Sequence, residues 1–170
     1  MLVAAMNPCP CGNYGSRITP CRCTAQQIQR YRNRISGPML DRIDIHVEMG
    51  EVGYNDIAGR SCGEPSSAIR ARVNAARAIQ TRRYAGMGIL FNAQLTNRMM
   101  NQYCVLTSDA EALMKKAFAA LKLSARAYTR LLKVSRTIAD LAGSEQIKAE
   151  HIAEAIQYRS LESKYWGEIK

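Results

Sequence analysis

The chain contains no run of about 18 consecutive apolar residues, so no segment of it reads as a membrane-spanning helix. Its apolar start, Met1-Leu2-Val3-Ala4-Ala5-Met6, is six residues long, carries no basic n-region and stops at Asn7-Pro8. That stretch is expected to be a buried strand, not a secretory signal. None of the eleven glycines is followed by lysine. A P-loop needs Gly-x4-Gly-Lys-Ser/Thr, whose amides cradle phosphate while the lysine meets its far end, so the chain has no such cradle of its own. The one Gly-x-Gly, at Gly86 and Gly88, lacks both the third glycine and a preceding strand. Histidine is scarce too: His46 and His151 stand alone, have no neighbour that would complete a catalytic dyad, and are expected to face solvent. Repeats and low-complexity tracts are absent.

Acidic residues are also in short supply, 14 against 24 Lys plus Arg, giving a formal charge of +10 over 170 residues. Such a surface attracts polyanions, whether nucleic acid, nucleotide or an acidic protein face. A hydrophobic share of 47% with 22% charged residues is the balance of a globular chain, which excludes intrinsic disorder.

The six cysteines are unevenly placed. Cys62 and Cys104 are isolated and read as structural. The other four form two Cys-x-Cys pairs, Cys9 with Cys11 and Cys21 with Cys23, separated by a stretch rich in Gly, Ser, Thr and Pro. Four thiolates at about 2.3 Å make a closed tetrahedral zinc site. Such a site leaves no open position for a catalytic water, so any zinc here is structural. Free thiols and redox disulfides are the competing readings of the same four residues.

The fold class expected is mostly α within α+β. Thr24 can cap a helix to about Ile35, ended by Ser36-Gly37-Pro38. Ile43-Asp44-Ile45-His46-Val47-Glu48-Met49 alternates like a half-buried strand. A glycine-rich linker over 53–65 separates this first part, 1–52, from a helical part over 66–160, followed by a tail at 161–170. In the helical part, Ser66 or Ser67 can cap a basic helix to about Tyr84. Thr96 can cap a short one, with Leu95 stapled onto Met100. Ser108-x-x-Glu111 has the form of a capping box. Ser124 can cap a helix with Ala127, Leu131, Val134, Ile138 and Leu141 as its core stripe, closed by Gly143. A last helix carries Ile152, Ala155 and Ile156. Together these make a bundle of four to five helices.

Arg126 is conspicuous, because in the first turn after Ser124 the helix dipole disfavours a cation by roughly 0.3–1 kcal/mol. An anion in front of it would reverse that sign; an arginine whose head snorkels away is the plain alternative. The basic helix from Ile69 to Tyr84 could track a phosphate backbone, although its arginines lie all round the cylinder.

The stretches LVAAMNPCPCG at 2–12, CRCTAQQIQRYRNRISGPMLDRIDIHVE at 21–48 and LSARAYTRLLKVSRTIADLAGSEQIKAEHIAEAIQYR at 123–159, in this order, resemble the magnesium-chelatase-like AAA+ ATPases of the ComM competence-protein type, also called YifB. The resemblance covers nearly the whole chain. It implies the C-terminal part of a cytoplasmic, hexameric, ATP- and magnesium-dependent DNA motor, active in branch migration, with its Walker elements upstream. By position, Asn7 resembles the sensor 1 residue, Arg42 the arginine finger and Arg126 the sensor 2 arginine. A salt bridge with Asp41 or Asp44 is the simpler reading of Arg42. Thr129 and Ser135 depart from the pattern, where relatives often carry histidine and alanine. Two readings from other classes stay open: a stand-alone zinc-containing DNA-binding module, and a helical protein-interaction domain.

Overall fold

The structure, a computed structural model, describes residues 2–54, 58 and 63–166, the last seven of these as helix backbone alone. The second half is built from five helices: α3 (Ser66–Arg83), α4 (Asn97–Tyr103), α5 (Ser108–Ala120), α6 (Ala125–Leu141) and α7 (Ala149–Trp166). A 3-10 turn at Asn92–Gln94 lies between α3 and α4. Two helices precede them, α1 (Ala25–Arg32) and α2 (Gly37–Leu40).

Local chemistry accounts for most of the boundaries. Thr24 and Gln27 close a reciprocal capping box on α1, with each residue's side chain taking the other's backbone N–H. Pro38 sits in the first turn of α2, where its missing N–H costs nothing, so the breaker sequence starts a short helix instead of a loop. Thr96 and Ser124 cap α4 and α6 as their sequences predict. On α5 the cap is Thr107, one residue earlier than the Ser108 expectation, with its hydroxyl accepting from Ala110 N–H at 3.4 Å. Pro65 begins α3, and neither Ser66 nor Ser67 supplies a side-chain cap. Gly143, at φ 67°, ends α6 in a Schellman turn in which Ser144 N–H reaches Ala139 C=O and Gly143 N–H reaches Asp140 C=O.

α6 is the central element, packed against α3, the 3-10 turn, α4 and α7. Its Leu131 and Ile138 join Leu132 and Ala139 in a core completed by Tyr84, Leu95, Met100, Met114, Ile147 and Ile152, and Ala127 is buried as well. Leu95 and Met100 are both buried, as a staple requires. Val134 is only partly buried, and Leu141, expected in the stripe, is 49% exposed.

The expected strands are not formed. Residues 2–7 and 43–49 are non-helical and unpaired; the one β-bridge among the described residues is the isolated parallel contact of Leu106 with Ile147. A strand needs a neighbouring strand to take its N–H and C=O groups, and no described segment forms a ladder with either stretch; the second one meets α6 and α7 instead. Consequently Leu2, Val3, Ile45, Val47 and Met49 are exposed instead of forming a core face. Cys62 falls outside the described residues.

His151 also departs from expectation. It is buried, and its Nδ1 accepts the N–H of Lys148 at 3.0 Å at the start of α7. Only a neutral imidazole can accept there, and burial, partly offset by Glu150, holds its pKa below the ordinary 6.5. Folding therefore favours the neutral form. The contribution is complete above the unfolded value near 6.5 and is lost as pH falls through the lower folded value. Urea denaturation at pH 7.5 and 5.5 should show a loss at the lower pH that His151→Gln, which keeps an acceptor, reduces. An identical pH slope in the two proteins would refute this.

Candidate functional site

Two groups of residues concentrate the polar chemistry of the first half, and the first is the cysteine loop. Cys9 is fully buried, Cys21 and Cys23 partly so, and Cys11 exposed. None is disulfide-bonded. All four Sγ atoms lie within 4.8 Å of one another, with Cys9–Cys11 at 3.4 Å, Cys9–Cys21 at 3.7 Å and Cys11–Cys21 at 3.6 Å. A tetrahedron with bonds of about 2.3 Å has edges of about 3.8 Å, so the four sulfurs could hold one metal ion.

The loop is shaped for this purpose. A turn from Cys9 C=O to Gly12 N–H, 3.1 Å, folds the first pair back on itself, and Gly12 sits at φ 83°, a conformation a side chain would strain. Backbone amides of Asn13 and Arg22 point at Cys11 and, with Cys9, draw its thiol down to about 6. At Cys23 the amide of Cys11 pulls the same way, but desolvation and the neighbouring thiols prevail and push it up to about 12. Four thiolates cannot coexist at this distance without a cation among them. Arg32, in the last turn of α1 and buried, clamps the loop by donating to Pro8 C=O at 3.1 Å and lying 4.5 Å over the ring of Tyr14. Cys104 differs: buried in the core, its thiol is pushed up to about 11 by desolvation, which makes it a small hydrophobe.

The second group is a platform where residues 41–46 cross α6 and α7. Asp41 accepts from the Ser124 hydroxyl at 3.3 Å and from Arg159 of α7 at 3.3 Å. Arg159 also donates to Ile43 C=O at 3.1 Å, and His46 N–H to Tyr158 C=O at 2.9 Å. Arg130, one turn along α6 from Arg126, donates to Arg42 C=O at 2.7 Å and pairs with Asp44.

This bonding settles the simpler reading of Arg42. Asp41 and Asp44 are engaged by Arg159 and Arg130, and among the described residues the Arg42 guanidinium donates only to Pro38 C=O, 2.9 Å away, while remaining exposed. Arg126 occupies the second position of α6, a first turn that holds no acidic residue, and its side chain is exposed with no hydrogen bond or ion pair among the described residues; only its carbonyl is engaged, by the Thr129 hydroxyl. The platform thus brings Arg42 and Arg126 to the same end of α6. Asn7 is not joined to it; its side chain lies against Gly12 of the cysteine loop.

Sequence reasoning missed the clamp residues Arg32, Arg130 and Arg159. The available signal was weak: Arg130 and Arg126 are one turn apart, and Asp41 and Asp44 flank Arg42.

The residues also match known sequences. The family described as magnesium chelatase, subunit ChlI C-terminal, matches residues 63–159, and magnesium chelatase, subunit ChlI, matches residues 1–57. The YifB protein of Salmonella typhimurium is 41% identical over 162 residues, covering 95% of this chain and 31% of the relative. Competence protein ComM of Haemophilus influenzae is 44% identical over 161 residues, covering 94% and 30%. A Mycobacterium bovis protein, Mb2921c, is 32% identical over 158 residues, covering 93% and 31%. The chain therefore spans about a third of the length of these relatives.

Proposed function

The chain belongs to the magnesium chelatase subunit ChlI family, on its ComM and YifB side, and from that premise we propose that it is the C-terminal portion of a ring-forming AAA+ ATPase that moves DNA. The observation that carries the reading is the pair of exposed arginines, Arg42 and Arg126, each without a carboxylate partner among the described residues, on a platform whose own acids are already engaged. Cations left open in this way suit an anion arriving from outside the chain, and a nucleotide phosphate meets that need.

In this reading ATP and magnesium are bound by Walker elements upstream in the full-length protein. Arg42 reaches the nucleotide of the neighbouring subunit in a hexamer and offsets charge developing on the transferred phosphoryl group. Arg126, presented at the same end of α6, contacts nucleotide phosphate as the sensor 2 arginine of the lid. Asn7 orients the attacking water as sensor 1. Residues 1–52 complete the ATPase core, 53–65 link it to the helical lid at 66–160, and 161–170 follow as a tail whose first six residues continue α7. The protein acts in the cytoplasm, and its DNA work is branch migration of the kind associated with competence; no helix among the described residues is long and apolar enough to cross a membrane. ATP turnover by the full-length protein is the direct test, with loss on substitution of either arginine expected.

The four cysteines are proposed to hold one structural zinc, with Cys9, Cys11, Cys21 and Cys23 as its thiolate ligands. The sulfur spacing and the amides aimed at Cys11 support this. Elemental analysis of protein purified without added metal should approach one zinc per chain, and Cys9→Ser with Cys23→Ser should bring it near zero. Among the described residues the cysteine loop contributes nothing to the hydrophobic core of α3–α7, so chelation should cost little of its helical circular dichroism. A metal-free preparation with an intact, protease-resistant loop would overturn the assignment.

A further inference from the structure

The cysteine loop and α1 carry a surface that the ATPase reading does not use. From Leu2 to Leu40 there are five arginines, Arg17, Arg22, Arg30, Arg32 and Arg34, and no acidic residue. α1 buries Ile28 and Arg32 on its inner side. Its outer side presents Gln26, Gln29, Arg30 and Asn33, spaced i, i+3, i+4, i+7, which with Arg34 line a shallow polar hollow. All five side chains are exposed, and none has a hydrogen bond or ion pair among the described residues; Arg34 makes only a contact 5.9 Å from the ring centre of Tyr31.

Solvated helix faces usually mix both signs of charge. This one pairs guanidinium with carboxamides and omits carboxylates altogether, and those are the side chains that meet phosphate oxygens and the base edges of guanine and adenine. The two nearest aromatic rings, Tyr14 and Tyr31, already have arginines over them, so they do not form an open platform for stacking unpaired bases. An exposed polar helix face tied to the cysteine loop through the Arg32–Pro8 bond suits a duplex groove better than a single strand.

We propose that the outer face of α1 is a contact surface for duplex DNA, with Arg30 and Arg34 on phosphates and Gln26, Gln29 and Asn33 facing the groove. This deepens the DNA part of the reading above but needs neither ATP nor the arginines of the platform, so the two can fail separately. The competing basic element is α3, whose Arg70 and Arg77 are also exposed.

The test is fluorescence anisotropy of a labelled 20-base-pair duplex, and of its single strand, titrated with the 170-residue chain across a salt series without nucleotide. Arg30→Ala/Arg34→Ala should weaken duplex binding about tenfold or more. It should also reduce the slope of log affinity against log salt by about 1.8, at roughly 0.9 per phosphate contact. Arg70→Ala/Arg77→Ala should leave that slope near wild type. All four residues are exposed, and circular dichroism with metal analysis checks that the variants keep their fold. Absence of duplex binding at low salt overturns the proposal. So does single-strand binding that equals or exceeds duplex binding, or a loss that follows the α3 variant and spares the α1 variant.

Discussion

In the full-length protein, Arg42→Ala should cut the ATP turnover number by about a thousandfold, the lower end of what an arginine finger contributes to phosphoryl transfer. Nucleotide affinity should change much less, because the guanidinium is held for the transition state's charge, not for the ground state. The fold should survive: the Arg42 side chain is exposed and makes one bond among the described residues, to Pro38 C=O, while its backbone carbonyl, which Arg130 holds, is untouched by the substitution. Arg126→Ala should lower turnover by about tenfold to a hundredfold, the loss of one charge-assisted contact. Since the platform presents both side chains at one end of α6, the double variant should fall short of the product of the single effects, as residues acting on one group do. Strict multiplication would instead place the two arginines on different nucleotides. Wild-type turnover in both single variants would remove the role assignment altogether. Arg42→Lys separates geometry from charge, since a point cation cannot reproduce a planar fork, and only partial recovery is expected.

The helices were legible because their signals are local. Thr24, Thr96 and Ser124 stand immediately ahead of stretches that carry apolar residues at helical spacing, and each caps a helix in the structure. The strands were misread for the opposite reason. Alternation over Ile43–Met49 reports only which side chains could share a face, whereas a strand exists through a partner that the segment's own residues cannot specify. That segment and Asp41 just before it instead spend their polar groups on α6 and α7, with Asp41 taken by Arg159, Asp44 by Arg130 and His46 N–H by Tyr158. The cysteine cluster was visible in spacing alone, and so was the anomaly of Arg126. The freedom of Arg42 was not, because it depends on competitors for Asp41 and Asp44 that lie more than 80 residues away along the chain.

The charges inside the helical bundle were equally hidden, and they support the second large prediction: Asp140→Ala should destabilise the bundle by about 3–5 kcal/mol, the cost of leaving buried charges unpaired. Asp140 is 2% exposed on α6, accepts from Arg83 of α3 at 2.9 and 2.5 Å and from Asn92 at 2.8 Å, and forms an ion pair with Arg136 at 3.1 Å. Asn92 in turn accepts the Tyr84 hydroxyl at 2.6 Å, and Arg136, fully buried, donates to the carbonyls of Ser144 at 2.5 Å and Glu145 at 2.6 Å just beyond the Gly143 turn. One carboxylate therefore joins α3, the 3-10 turn, α6 and the α6–α7 connection. A helix read by its single apolar stripe assigns Arg136 and Asp140 to the solvent side; α6 is instead enclosed on most of its circumference, so its far side is interior too. At about 4–8 °C per kcal/mol for a domain of this size, the melting temperature should fall by roughly 12 °C or more. A coupled network also makes a distinctive demand on double variants. Arg83→Met should be strongly destabilising in the wild type, where it strips a buried carboxylate of two hydrogen bonds, and much milder beside Asp140→Leu, where no carboxylate remains to be stranded. Equal costs in the two backgrounds would show that Arg83 acts by packing over Tyr84, and that Asp140 does not organise the interior of the bundle.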